Sequence, residues 1–167
     1  GLAAIRNITV AMPSRSRGSC FRYWICVTRR MIMHMEKGRI RYAYGATLLM
    51  HPVGHMMMTR NMLYSPSKEY YDVLETYMVE DESLVDLDEY RSFVVEAAHV
   101  LDAENRQVTD LYPKTVAQMK YIAGRFKSEK IRNTLLHYLA ATYVDRHGID
   151  NIQDLENIYF TYVKDEA

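Results

Sequence analysis

From Ser65 onward, five successive stretches each join a helix-start signal to apolar residues recurring at three- and four-residue spacing, which predicts an all-α fold. Ser65-Pro66-Ser67 supplies a cap and a first-turn proline, after which Tyr70, Leu74, Tyr77 and Met78 share a face through about Val79. Asp86 and Glu89 stand at capping-box spacing before the apolar face of Tyr90, Phe93, Val94, Ala97 and Leu101. Residues 102–110 are polar and aperiodic, the pattern of a loop. Pro113 opens a third helix facing inward through Val116, Met119, Ile122, Ala123 and Phe126. Ser128 caps a fourth, aligned on Ile131, Leu135, Tyr138, Leu139 and Thr142, and His147-Gly148 supplies its left-handed stop. Asp150 with Gln153 introduces a fifth, carrying Ile152, Leu155, Tyr159 and Tyr162. Short links between amphipathic helices predict an antiparallel helical-hairpin array of about five helices over residues 65–167.

The first half has a different chemistry. Residues 1–66 carry ten Lys and Arg against the single acid Glu36, whereas residues 67–167 carry eleven against twenty acids, so a formal net charge of zero conceals about +9 and −9. Nine of the eleven Met residues fall in this basic half. Pro13, Gly18, Gly38, Gly45, Pro52 and Gly54 divide it into short pieces, and Arg39 to Tyr44 alternates with period two as a short strand would. The expected domains are therefore a basic, Met- and Arg-rich extended arm with one or two helical turns over 1–64, and a helical domain over 65–167. A second lobe lying over the helical array fits the same pattern. No apolar run reaches the ~18 to 20 residues of a bilayer span, because Arg, Lys or His interrupts each one.

Two cysteines, Cys20 and Cys26, are too few for a disulfide framework in a chain that can build a core, which points to a reducing compartment. Residues 1–30 hold six Arg and no acid, the character of a mitochondrial address or its remnant, and a start at Gly1 fits a matured or shortened chain.

Candidate sites are sparse. Cys20, Cys26, His51 and His55 could supply a Cys2His2 zinc set, although the five-residue cysteine gap is poor for presenting two thiolates from one turn. Pro52 and Gly54 between the two histidines predict a polar turn there. The acidic run 80–89 lacks the glycine and alternating ligands of a calcium loop and reads as solvated helix ends. Glu75, Asp88, Glu89 and Glu96 have no nucleophile or phosphate-binding glycine loop beside them. No catalytic motif or cofactor is therefore expected. Partner contact is assigned to Arg15, Arg17, Arg22, Trp24, Arg29, Arg30, Arg39 and Arg41, where cations alternate with aromatics. That mixture suits an acidic protein surface, anionic lipid headgroups or single-stranded RNA.

Tyr70–Met78 (YYDVLETYM) before an acidic turn, Asp88-Glu89-Tyr90-Arg91 opening a helix, Val94-Val95-Glu96-Ala97-Ala98, and the helix-link-helix order from Thr115 to Leu155 resemble a known family. Over residues 67–156 the chain is similar to the matrix-side helical subunit of cytochrome c oxidase, called Va in animals and VI in yeast. The basic stretch before Ser65 lies outside that resemblance. The resemblance implies a non-catalytic, peripheral subunit of an inner-membrane respiratory complex. The expected function is thus an accessory subunit of a mitochondrial assembly, bound to other protein subunits at the inner membrane or in the matrix. The alternative is an RNA-binding subunit of an organellar ribosome or other ribonucleoprotein.

Overall fold

The computed structural model describes residues 17–163, with side chains from residue 26 onward. Among these residues the fold is all-α, with the order α1 (Arg17–Thr59), α2 (Lys68–Glu75), α3 (Asp88–Leu101), α4 (Leu111–Arg125), α5 (Glu129–His147) and α6 (Gln153–Tyr162). No helix among the described residues is long and apolar enough to cross a membrane. The chain divides into two compact units, Gly1–Glu36 and Lys37–Ala167. In the first, the described residues are helical, and Val27, Met31, Ile32 and Met33 are exposed.

The five C-terminal helices follow the sequence signals, with local shifts that have physical causes. Ser128 caps α5 as expected, its Oγ accepting from the Ile131 N–H at 3.4 Å. Gly148 ends the helix at a φ of 80°, where any side chain would be strained. Pro113 lies in the first turn of α4, where its missing N–H costs no helical bond. At α3 the expected cap moves from Asp86 to Leu87, because residues 81–87 form hydrogen-bonded turns that bury Leu84, Val85 and Leu87. The α6 cap likewise moves from Asp150 to Ile152, after Asn151 adopts a left-handed φ of 59°. α4 is the central helix of the second unit, packing on α3, α5 and α6 through Val116, Met119, Ile122 and Ala123.

The larger departure is α1. The sequence pattern predicts an extended arm here, with a strand option at 39–44 and a polar turn at 51–55, yet residues 17–59 form one 43-residue helix. Glycines that read as breakers are close-approach positions instead. A Cβ on Gly38 would lie 2.7 Å from Leu84 Cδ2, and one on Gly45 would lie 2.8 Å from Phe93 Cε2 and 3.2 Å from Tyr77. Between these glycines, on the same face, Tyr42 is fully buried. Its ring meets Tyr90 edge-on at 5.0 Å and Phe93 at 5.5 Å, and its hydroxyl donates to the Tyr77 carbonyl at 3.1 Å. Burial raises the Tyr42 pKa, keeping the phenol a donor. Removing an aromatic of this size from water is worth about 2–3 kcal/mol, more than the helix propensity lost at one glycine.

The acidic connector also has a structural task. Glu80 accepts from the backbone N–H groups of Lys127 and Ser128 at 3.2 and 3.0 Å, and Glu82 accepts from Ser128 Oγ at 2.6 Å. Two carboxylates thus sit at the positive end of α5, where unpaired N–H groups and the helix dipole favour them. The two backbone N–H donors hold the Glu80 carboxyl below its ordinary value of 4.5.

Two outcomes follow. Gly45→Ala should destabilise the protein by about 1–3 kcal/mol through overpacking on Phe93, whereas Gly54→Ala, with open space at its Cβ, should stabilise it by about 0.5–1 kcal/mol; urea unfolding separates the two. The depressed pKa of Glu80 gives stabilisation that is present above about pH 4.5 and fades as the pH falls through the lower folded value. Glu80→Gln should therefore lower the melting temperature at pH 7 by about 1–2 °C, allowing for solvent screening, and the wild type and variant should converge as the pH falls below the folded value.

Candidate interaction surface on the first helix

Within the second unit, α1 presents two opposite seams. Gly38, Tyr42, Gly45, Leu49, Pro52 and Met56 recur at alternating steps of four and three residues and are buried or half-buried. Ile40, Tyr44, Thr47, His51, Gly54 and Met58 repeat the same steps two positions later, about 200° around the helix at ~100° per residue. This period of 3.5 is that of a helix-packing seam. The inner seam is filled by the chain's own Leu84, Tyr77 and Phe93. The outer seam lies open, with Ile40 71% exposed, Tyr44 59% and Met58 89%. Met50 and Met57 flank it, also exposed, and Met62 and Leu63 follow in the next turn.

Pro52 sits inside this helix, and the structure shows how the break is repaired. A proline at position 52 removes the N–H that would serve the Leu48 carbonyl and crowds that turn. The Tyr70 hydroxyl, from α2, fills the gap by lying 3.3 Å from Leu48 O and 3.5 Å from Leu49 O. Burial and neighbouring tyrosines push the Tyr70 pKa up to about 12, so the hydroxyl keeps its proton. Downstream, Arg60 turns the chain at a φ of 56°, and Thr59 Oγ1 donates to the His55 carbonyl at 2.7 Å.

The sequence-predicted contact residues separate into three groups. Arg15 and the side chains of Cys20, Arg17, Arg22 and Trp24 lie outside the described residues. Arg29 and Arg30 are exposed in the first unit. In the second, Arg39 approaches Glu89 at 3.5 Å, and Arg41 donates to the Thr76 carbonyl at 2.7 Å while resting 5.1 Å from the centre of the Tyr77 ring. These two arginines therefore help join α1 to its own unit. The outer seam itself escapes a reading of the sequence, because its period emerges only once residues 37–59 are taken as helix.

Of the zinc set, only Cys26, His51 and His55 have described side chains. Cys26 is a free, exposed thiol in the first unit, while His51 and His55 belong to the second. Among the described residues no three Cys, His, Asp or Glu side chains come together. His51 and His55 do share a face, with ring centres 6.2 Å apart, in an open groove of about 530 Å³.

A second cavity, of about 210 Å³, lies between α3, α4 and α5. Lys114 Nζ pairs with Glu96 at 3.1 Å there, Ser92 and Tyr138 share a 3.3 Å hydroxyl contact, and Gln118 donates to the Val95 carbonyl at 2.8 Å. These groups hold the helices to one another.

No family model, curated protein or solved structure matches the chain. The outer seam of α1 is accordingly defined by its own geometry.

The repair at Pro52 is open to a double-mutant cycle. Tyr70→Phe should cost about 1 kcal/mol in the native background and close to zero beside Pro52→Ala, which restores the N–H for Leu48 O. Equilibrium unfolding of the four proteins measures the coupling.

Proposed function

We propose that this chain is a non-catalytic accessory subunit of a mitochondrial multi-protein complex, in the first place a respiratory-chain membrane complex, held there through its basic N-terminal half. The observation that carries this reading is the outer seam of α1, where Ile40, Tyr44 and Met58 stay in water on a helix whose opposite face is packed. Exposed apolar residues grouped on one helix face suit contact with another macromolecule, and Met-rich surfaces adapt to irregular partners. The absence of acids from residues 37–68 favours an acidic or neutral partner surface. The Arg-rich, acid-free start and the similarity of residues 67–156 to the matrix-side subunit of cytochrome c oxidase support the compartment and the complex. In this reading the C-terminal helices stack as an antiparallel hairpin array, and the chain lies at the inner membrane or in the matrix without crossing the bilayer.

The test is native electrophoresis of mitochondrial membranes from cells expressing the tagged full-length chain. The chain should migrate with a respiratory complex and should shift to low mass with Ile40→Glu/Tyr44→Glu, while the purified variant melts within about 2 °C of wild type because both positions are exposed. Migration of the wild type alone, or association that survives the double substitution, overturns the proposal. Collapse of the assembly on ribonuclease treatment would replace it with the RNA-binding reading.

A further inference from the structure

His51, His55 and Met58 stand at i, i+4 and i+7 of α1, His51 and Met58 on the outer seam and His55 beside it, and all three line the same open groove. Two imidazoles one helical turn apart can close on one metal ion, and here the ring centres are already within 6.2 Å. His55 is held in place by its neighbours. Its ring stacks on Tyr64 with centres 4.0 Å apart and planes 30° from parallel. Its Nδ1 is buried and makes no hydrogen bond. His51 and Met58 are exposed on either side along the helix, so their side chains can turn toward a common ion without repacking the core.

We propose that His51, His55 and Met58 form a binding site for a monovalent soft metal ion, Cu(I). The donors are two neutral imidazoles and a thioether. Zinc sites draw on thiolate, imidazole and carboxylate, whereas thioether sulfur selects Cu(I). Charge points the same way. No Asp or Glu occurs between Lys37 and Lys68, and Arg60 follows the site closely in sequence. A neutral donor set in this basic stretch leaves one uncompensated charge with Cu(I) and two with a divalent ion. Donors from one helix face, two nitrogens and one sulfur, make a three-coordinate site open to solvent on its remaining side. Met50, on the same groove, places a further thioether nearby.

The test uses the full-length protein carrying Cys20→Ser and Cys26→Ser, so that thiols do not capture the metal. It is titrated without oxygen with Cu(I) against a chromophoric Cu(I) chelator. One Cu(I) should be retained per chain. Met58→Leu should weaken retention by about tenfold or more, and His51→Gln/His55→Gln should abolish it, with helical circular dichroism unchanged. Met33→Leu, an exposed methionine of the first unit, should leave it unaltered. Ag(I), a redox-inert probe of the same charge and softness, should shift the Met58 methyl resonance. Failure to retain Cu(I), equal retention by the Met58→Leu and double-histidine proteins, weakening by Met33→Leu, or Zn(II) displacing Cu(I) at equal concentration would each overturn the assignment.

Discussion

The second unit depends on Tyr42. Its ring is enclosed by Tyr77, Tyr90 and Phe93, and it reaches that enclosure because Gly38 and Gly45 let the α1 backbone approach Leu84 and Phe93 without intervening side chains. The same contact organises the connector. The Tyr42 hydroxyl anchors the Tyr77 carbonyl, and the Tyr90 hydroxyl anchors Val79 O at 2.9 Å, so residues 76–87 are fixed from both α1 and α3. With the connector fixed, Glu80 and Glu82 meet the start of α5 and Arg125 reaches Glu75 at 2.8 Å. Aromatic packing thereby places the charges, whose own contribution in water is small.

The legible and illegible parts of this fold differ in the range of the interactions that decide them. Ser128 before Ile131 and Gly148 after His147 are local signals, satisfied by atoms a few residues away, and the apolar faces of α3 and α4 show as a period along the chain, so sequence order exposes them. In α1 the deciding partners are distant. Gly45 is compatible with helix because Phe93 occupies the space its side chain would need, and Pro52 because Tyr70 supplies a donor from another helix. Without those partners, glycine and proline read as punctuation. The segment between His51 and His55 reads as a polar turn for the same reason, since the two positions share a face only if the helix continues through Pro52.

The charge asymmetry acquires a structural meaning that differs between its two signs. Acids of the second half serve helix ends and internal ion pairs, as Glu80, Glu75 and Glu96 show. The cations of the first half are divided. Arg39 and Arg41, themselves exposed, reach Glu89 and the Thr76 carbonyl of their own unit, and Arg29 and Arg30 are exposed in the first unit.

The two seams of α1 have a consequence for how this chain can vary in length. Because they are offset by two residues, inserting two residues between Gly45 and Pro52 would rotate everything downstream by about 200° and exchange the packed face for the open one. A single inserted residue would aim both faces sideways. Only steps of about seven preserve both registers. The packed face thus fixes the length of the segment from Gly38 to Met58, and the open face keeps its register with it.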